Sequence, residues 1–235
     1  MMGDHSLSRR DVMGKAGLAT GFALAPTIGA SGQAAAEGKA KEEIRITPPE
    51  DLMREHAVLE RLLLIYEKAL SAGDRPADWP MAHLADAARV VRAFIEDYHE
   101  KLEEEHLFPR FEQAGRLADL VAVLRKQHDV GRRVTDAVLG QLGQTALSDR
   151  QALVRNLTEY IRMYRPHAAR ESTVLFPQIS AVVAANEYEE MGEEFEEIEH
   201  QKLGEAGFAG IVQKVAEMEK SLGIYNLAGF TPRPA

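Results

Sequence analysis

The chain has 235 residues, with 28 Lys and Arg against 37 Asp and Glu, and no cysteine. The net charge of −9 argues against nucleic acid and against an anionic membrane surface as partners. The missing cysteines exclude disulfides, iron–sulfur clusters and thiolate zinc sites. A chain this long affords one domain with a sizeable core plus an appendage. Its Leu, Ala and Glu content, with Gly and Pro gathered at joints, favours an all-α protein.

Taken in order, the first 36 residues read as an address. Ser8-Arg9-Arg10-Asp11-Val12-Met13 resembles the twin-arginine export motif. A weakly apolar, uncharged run from Ala16 to Ala30 follows, and Ala34-Ala35-Ala36 offers a small-residue cleavage site. Residues 1–36 are therefore expected to be a signal peptide and 37–46 a linker. The mature protein is expected to be periplasmic or otherwise extracytoplasmic, without a membrane contact after cleavage. That route carries proteins already folded, which suits a metal site loaded in the cytoplasm.

Thr47-Pro48 is an N-cap followed by a first-turn proline. It should open a helix reaching about Ser71, with the stripe Leu52, His56, Leu59, Leu63, Tyr66, Leu70. Pro80 opens a second helix to at least Phe108, which Pro109 should kink or end. A third runs from Leu117 to about Leu142 with Leu124, His128, Gly131, Thr135 and Val138 in its stripe. Ser148-Asp149 caps a fourth to about Phe176, bearing Leu157, Tyr160, Tyr164, His167 and Glu171, with a bend expected at Pro166. Spacings of three and four are those of a bundle seam. Residues 187–203 read as an acidic helix with a solvated face, and residues 207–222 as a last helix. The tail from Tyr225 to Phe230 is expected to pack its aromatics across the bundle.

One pattern occurs twice. His99-x-x-x-Glu103-x-x-x-Leu107-Phe108-Pro109 and His167-x-x-x-Glu171-x-x-x-Leu175-Phe176-Pro177 agree in every spacing. Residues four apart share a helix face, so each copy aims an imidazole and a carboxylate the same way. With His56 and His128, four helices each place a histidine in the seam. Removing six apolar side chains from a core, two of them for carboxylates, needs compensation. A di-metal centre supplies it, and the candidate ligands are His56, His99, Glu103, His128, His167 and Glu171. In an up-down-up-down four-helix bundle the two repeated motifs run parallel, so each glutamate can bridge two ions. Open coordination positions suit iron or manganese more than closed structural zinc.

These residues resemble the hemerythrin-like, or HHE cation-binding, family over roughly residues 48–180. The resemblance implies a four-helix bundle over 47–180, a C-terminal helical extension over 181–235, and a carboxylate-bridged centre of two iron ions. It departs from the oxygen-carrying hemerythrins, which place a second histidine four residues on in the third helix; here that residue is Arg132. His106, or less readily Glu60, is the expected substitute ligand, and His200 is expected at the surface. The small-molecule partner implied is dioxygen, peroxide or nitric oxide. The alternatives are a peroxide-decomposing or ferroxidase enzyme, with Tyr98, Tyr160 or Tyr164 donating beside the metal, and an iron or oxygen sensor.

Overall fold

A computed structural model describes residues 46–73, 75, 78–143 and 149–232. The export motif and the cleavage site lie outside them. Among the described residues there is helix and no strand. None of the helices is long and apolar enough to cross a membrane.

The first helix, α1, is Pro48–Leu70. The Glu50 carboxylate accepts from the Thr47 backbone N–H at 2.9 Å and from its hydroxyl at 2.8 Å, closing the helix start. Leu52, His56, Leu59, Leu63 and Tyr66 are all buried, as their spacing predicts. The second helix, α2, covers residues 81–113 without a break. It begins as an ordinary α-helix, Met81–Val90, and widens to π-type turns over Val91–His99 and Glu103–Leu107. It closes as Phe108–Gln113.

Pro109 therefore does not end the second helix, which was one of the two outcomes expected of it. The wide turn just before it is the reason. The Phe108 N–H reaches back five residues to the Glu103 carbonyl, and the proline enters as the first turn of a fresh α segment, where its missing N–H costs nothing. The second copy of the motif behaves alike: Phe176 N–H bonds the Glu171 carbonyl across a π-type turn, Glu171–Leu175. Phe176–Ala181 then follows as a 3-10 helix.

After a turn in which Gly115 and Leu117 have positive φ of 62° and 52°, α3 runs over Ala118–Leu142. The helix α4 is Arg150–Arg170, entered through an Asp149 carboxylate that accepts from Ala152 N–H at 2.7 Å. It passes through Pro166 and continues as helix into the π-type turn. Helix α1 packs on α2 and α4, and α3 packs on the same two, so their seams face a common interior. Gly131 permits the close approach of α3 to α4: a Cβ there would stand 2.0 Å from the Tyr164 hydroxyl oxygen.

Two further helices, α5 at Ala185–Leu203 and α6 at Gly207–Ser221, lie against α1 and against each other. Met191, Phe195, Phe208 and Val215 supply their buried face. Arg61 grips Glu219 with Nε at 3.1 Å and Nη2 at 2.6 Å. The acidic face of α5 is not wholly solvated, since Glu199 is buried and accepts from the Phe208 N–H at 2.6 Å. The tail corrects a second expectation. Tyr225, Leu227 and Phe230 are 50%, 79% and 52% exposed. The chain turns into a short 3-10 helix at Leu227–Phe230 with no buried residue, so those side chains do not cross the bundle.

Candidate metal centre

Helices α1 to α4 each deliver one histidine to the same interior, and all four imidazoles are buried along with Glu103 and Glu171. His99 Nε2 lies 3.0 Å from His56 Nε2, and His128 Nε2 lies 3.2 Å from His167 Nε2. The glutamates stand between the pairs. Glu103 turns Oε1 to His99 at 3.8 Å and Oε2 to His128 at 3.4 Å. Glu171 brings Oε2 to His167 at 3.0 Å and to His56 at 3.2 Å. His56, His99 and Glu103 form one group able to hold an ion, and His128, His167 and Glu171 a second. Thus all six residues singled out by spacing meet in one place.

The outer edge of every ring is held as well. His99 Nδ1 meets Glu55 Oε2 at 2.7 Å, and His128 Nδ1 meets Glu104 Oε1 at 3.0 Å. His167 Nδ1 meets Gln127 Oε1 at 2.9 Å, and His56 Nδ1 meets Ser172 Oγ at 2.9 Å. Acceptors at Nδ1 keep the proton there and leave the Nε2 lone pair directed inward. Lone pairs would then face each other at 3.0 and 3.2 Å, which is repulsive unless a cation lies among them. Both oxygens of Glu103 and both of Glu171 are buried without a hydrogen-bond partner. Buried polar atoms are normally satisfied. Four orphaned carboxylate oxygens beside four converging nitrogens are the donor set of a metal site.

Charge follows burial. Burial holds the His56 and His128 imidazoles down at about 4, against the pull of Glu171 on the first and of Glu104 on the second. Burial, then the charges of Glu171, Glu100 and Glu55, pushes the Glu103 carboxyl well up. Burial acts on Glu171 in the same sense, but His167 and His56 overcome it and hold that carboxyl well below its ordinary value. Neutral imidazoles are the form that binds metal.

The order of the sequence shows in the geometry as a near-twofold relation. Phe108 stacks on His128 with centroids 5.5 Å apart, and Phe176 on His56 at 5.3 Å, which gives the repeated Leu-Phe-Pro its purpose. The residues supporting the rings, Glu55, Glu104, Gln127 and Ser172, were not found by spacing. Each is the immediate neighbour of a ligand in the chain, which is the only signal they carry. The tyrosines divide: Tyr98 donates to Glu55 Oε1 at 3.1 Å and Tyr164 to Glu100 Oε1 at 2.6 Å, while the buried Tyr160 hydroxyl has no hydrogen-bond partner.

Neither substitute ligand is at the centre. His106 Nδ1 is 3.2 Å from Glu194 and its ring meets Phe195, because the wide turn at Glu103–Leu107 turns it toward α5. Glu60 pairs with Arg165 at 3.2 Å on the surface. Arg132 points inward, 2.7 Å from Glu100 Oε2 and 2.8 Å from Glu104 Oε1. His200 is exposed.

An all-helical core holding two His₂Glu groups defines a candidate cation-binding helical protein. The chain belongs to the hemerythrin HHE cation-binding domain family, whose model matches residues 47–179. Membership suggests metal-ion binding, typically of iron. The chain is also similar to uncharacterized proteins of Mycobacterium tuberculosis, strains H37Rv and CDC 1551, and of Mycobacterium bovis. It is 49% identical to each over 195 residues, which is 82% of this chain and 76% of theirs. No solved structure matches the chain.

Proposed function

We propose that the chain binds two iron ions, one at His56, His99 and Glu103 and one at His128, His167 and Glu171, with both glutamates shared. We propose further that the loaded centre binds or reacts with a small oxygen species: dioxygen, peroxide or nitric oxide. The observation that carries this reading is the convergence of four Nε2 atoms on carboxylate oxygens that have no other partner. Helices α1 to α4 are read as an up-down-up-down bundle over 47–180, and residues 181–235 as its extension. Manganese fits the same donors less well for this chemistry, and zinc less still.

Bound iron supplies Lewis acidity and one-electron redox chemistry. The chain's own residues do the rest. Glu55, Glu104, Gln127 and Ser172 fix ring orientation, Phe108 and Phe176 cover two of the imidazoles, and the buried surround excludes bulk water. Tyr98 and Tyr164 donate hydrogen bonds to the Glu55 and Glu100 carboxylates behind the ligands. Six donors for two ions leave coordination positions free for the small molecule. Metal analysis tests the reading: two irons per chain are expected, and His128→Ala or Glu171→Ala should fall well below two. Unchanged stoichiometry in either variant would overturn the assignment.

A second reading, turnover of peroxide or ferrous iron, is favoured by Arg132. With His106 and Glu60 also turned away, no seventh side chain among the described residues closes the centre as in an oxygen carrier. Oxygen release from peroxide over many turnovers supports it, and stoichiometric bleaching alone opposes it. For residues 1–36 we propose twin-arginine export; Arg9→Lys with Arg10→Lys should retain the protein in the cytoplasmic fraction, and unchanged export would refute this.

A further inference from the structure

The near-twofold relation pairs His56 with His128, His99 with His167, and Glu103 with Glu171. Carried outward, it pairs residues that are chemically unlike. Glu55, behind His99, corresponds to Gln127, behind His167. Glu104, behind His128, corresponds to Ser172, behind His56. Glu100 corresponds to Ala168, and Arg132, four residues after His128, corresponds to Glu60, four after His56.

The unlike residues are not scattered. Glu100, Glu104 and the Nδ1 edge of His128 form a third group with the spacing of a cation site, and the Arg132 guanidinium is seated in it. Arg132 Nη2 is 2.7 Å from Glu100 Oε2 and 2.8 Å from Glu104 Oε1. Glu104 Oε1 is the same oxygen that holds His128 at 3.0 Å. Lys101 adds a second cation, an ammonium at 2.6 Å on the other oxygen of Glu104. The carboxylate supporting His128 thus shares its charge with two cations, one of them on the very atom that faces the ring. At the dyad-related place, Glu60 is turned out to Arg165. The support for His99 comes instead from Glu55, through an oxygen separate from the one that accepts from Tyr98.

A carboxylate at Nδ1 strengthens an imidazole as a ligand, and a fixed positive charge nearby opposes a second one. We infer that the two cation positions are unequal, that the His128–His167 position is the weaker, and that Arg132, standing as a built-in cation beside it, is the residue that sets them apart. Arg132 is a positioning residue and touches no bound ion. The inference rests on the proposed two-ion centre and deepens it. It implies that the chain passes through a one-ion form with the His56–His99 position filled.

The test is an anaerobic titration of the full, chelator-stripped chain with Co²⁺, followed by visible absorption and calorimetry. Two steps are expected, with constants separated by well over the statistical factor. In Arg132→Gln the second step should tighten by at least about tenfold, since a unit charge beside His128 acts strongly on a divalent ion at an effective dielectric of about 20 even when Glu100 and Glu104 screen most of it. The first step should hardly move. Arg132→Lys, which keeps the charge, should preserve the separation. His128→Ala should abolish the weak step and His99→Ala the tight one. Equal constants in the unaltered chain, or an Arg132→Gln variant that shifts both steps alike, overturn the inference. If Arg132→Gln fails to fold, the single steps left in His99→Ala and His128→Ala decide it: the tighter must be the one that His128→Ala keeps, and the reverse order overturns the inference. No binding of cobalt at all would count against the two-ion centre itself, a result distinct from either.

Discussion

The ring of Phe108 lies on the imidazole of His128, 22° from parallel. With Phe176 on His56 at 17°, one aromatic lid covers one ligand of each cation group. Both lids follow directly on a π-type turn, so the ring's place depends on the local backbone. Phe176→Leu keeps an apolar side chain but loses the flat contact. It should cost about 1 kcal/mol of stability and weaken metal retention several-fold. Urea unfolding and metal analysis check both, and an unaltered metal affinity would show that the lid only fills space.

Gly131 is where α3 comes closest to α4. An alanine methyl there would fall 2.0 Å from the Tyr164 hydroxyl oxygen and 2.7 Å from its ring. The obstacle is an aromatic ring buried between helices, which cannot swing aside as a flexible side-chain tip would. Gly131→Ala should destabilise by about 1–3 kcal/mol or more and break the Tyr164–Glu100 hydrogen bond. Thermal unfolding should show a clear drop; an unchanged midpoint would mean the two helices separate freely.

Glu55→Gln is nearly isosteric and keeps an acceptor near His99 while removing the charge. The loss expected is about 10–100-fold in metal affinity, with little change in the helical content seen by circular dichroism. Gln127→Glu should act in the opposite sense on the other group. Competition with a chelator of known affinity measures both. Equal affinities in the two variants would remove any electronic role for these residues.

Protons and cations compete for the same nitrogens. Burial keeps His56 and His128 at about 4 in the folded chain, whereas unfolded imidazoles titrate near 6.5. On acidification the unfolded state therefore takes up protons that the folded state refuses. Stability is fully present above about 6.5 and is lost as pH falls toward about 4, by roughly 3 kcal/mol for each of the two rings. Glu103, pushed up by burial, takes up its proton in the folded chain within the same range and opposes this loss, whereas Glu171, drawn down by His167 and His56, contributes a loss only below the ordinary carboxylate range. Urea midpoints of the chelator-stripped chain and of its His56→Gln variant at pH 7, 6 and 5 should diverge, the unaltered chain losing more on acidification; parallel series would contradict the burial of this ring.

Much of the interior was legible in the sequence because helical periodicity is a one-dimensional signal. A histidine at a leucine position, as at His56 or His128, announces itself, and the doubled His-x-x-x-Glu shows which faces converge. What resisted reading depends on pairs of residues far apart in the chain. Glu104 sits in the run Glu103-Glu104-Glu105, which looks like a solvated acidic stretch until α3 brings His128 and Arg132 against it. Gln127 and Ser172 carry no mark at all. His106 misled because two ordinary turns would return it to the face of His99, and the wide turn instead rotates it toward Glu194. The same turn defeats the expectation that Pro109 stops the helix. The tail misled for another reason: aromatic content predicts burial only where a surface is there to receive it, and Tyr225 and Phe230 meet little.

The shared glutamates have a dynamic consequence. One group draws three of its side chains from α1 and α2 and the other from α3 and α4, yet Glu103 leans over to His128 and Glu171 over to His56. A loaded centre would therefore act as a clasp between two helical hairpins. Prying the hairpins apart would need both ions to leave together. Backbone amides around 95–107 and 164–175 should then exchange with deuterium far more slowly with cations aboard than without, while those of α5 and α6 keep nearly the same pace.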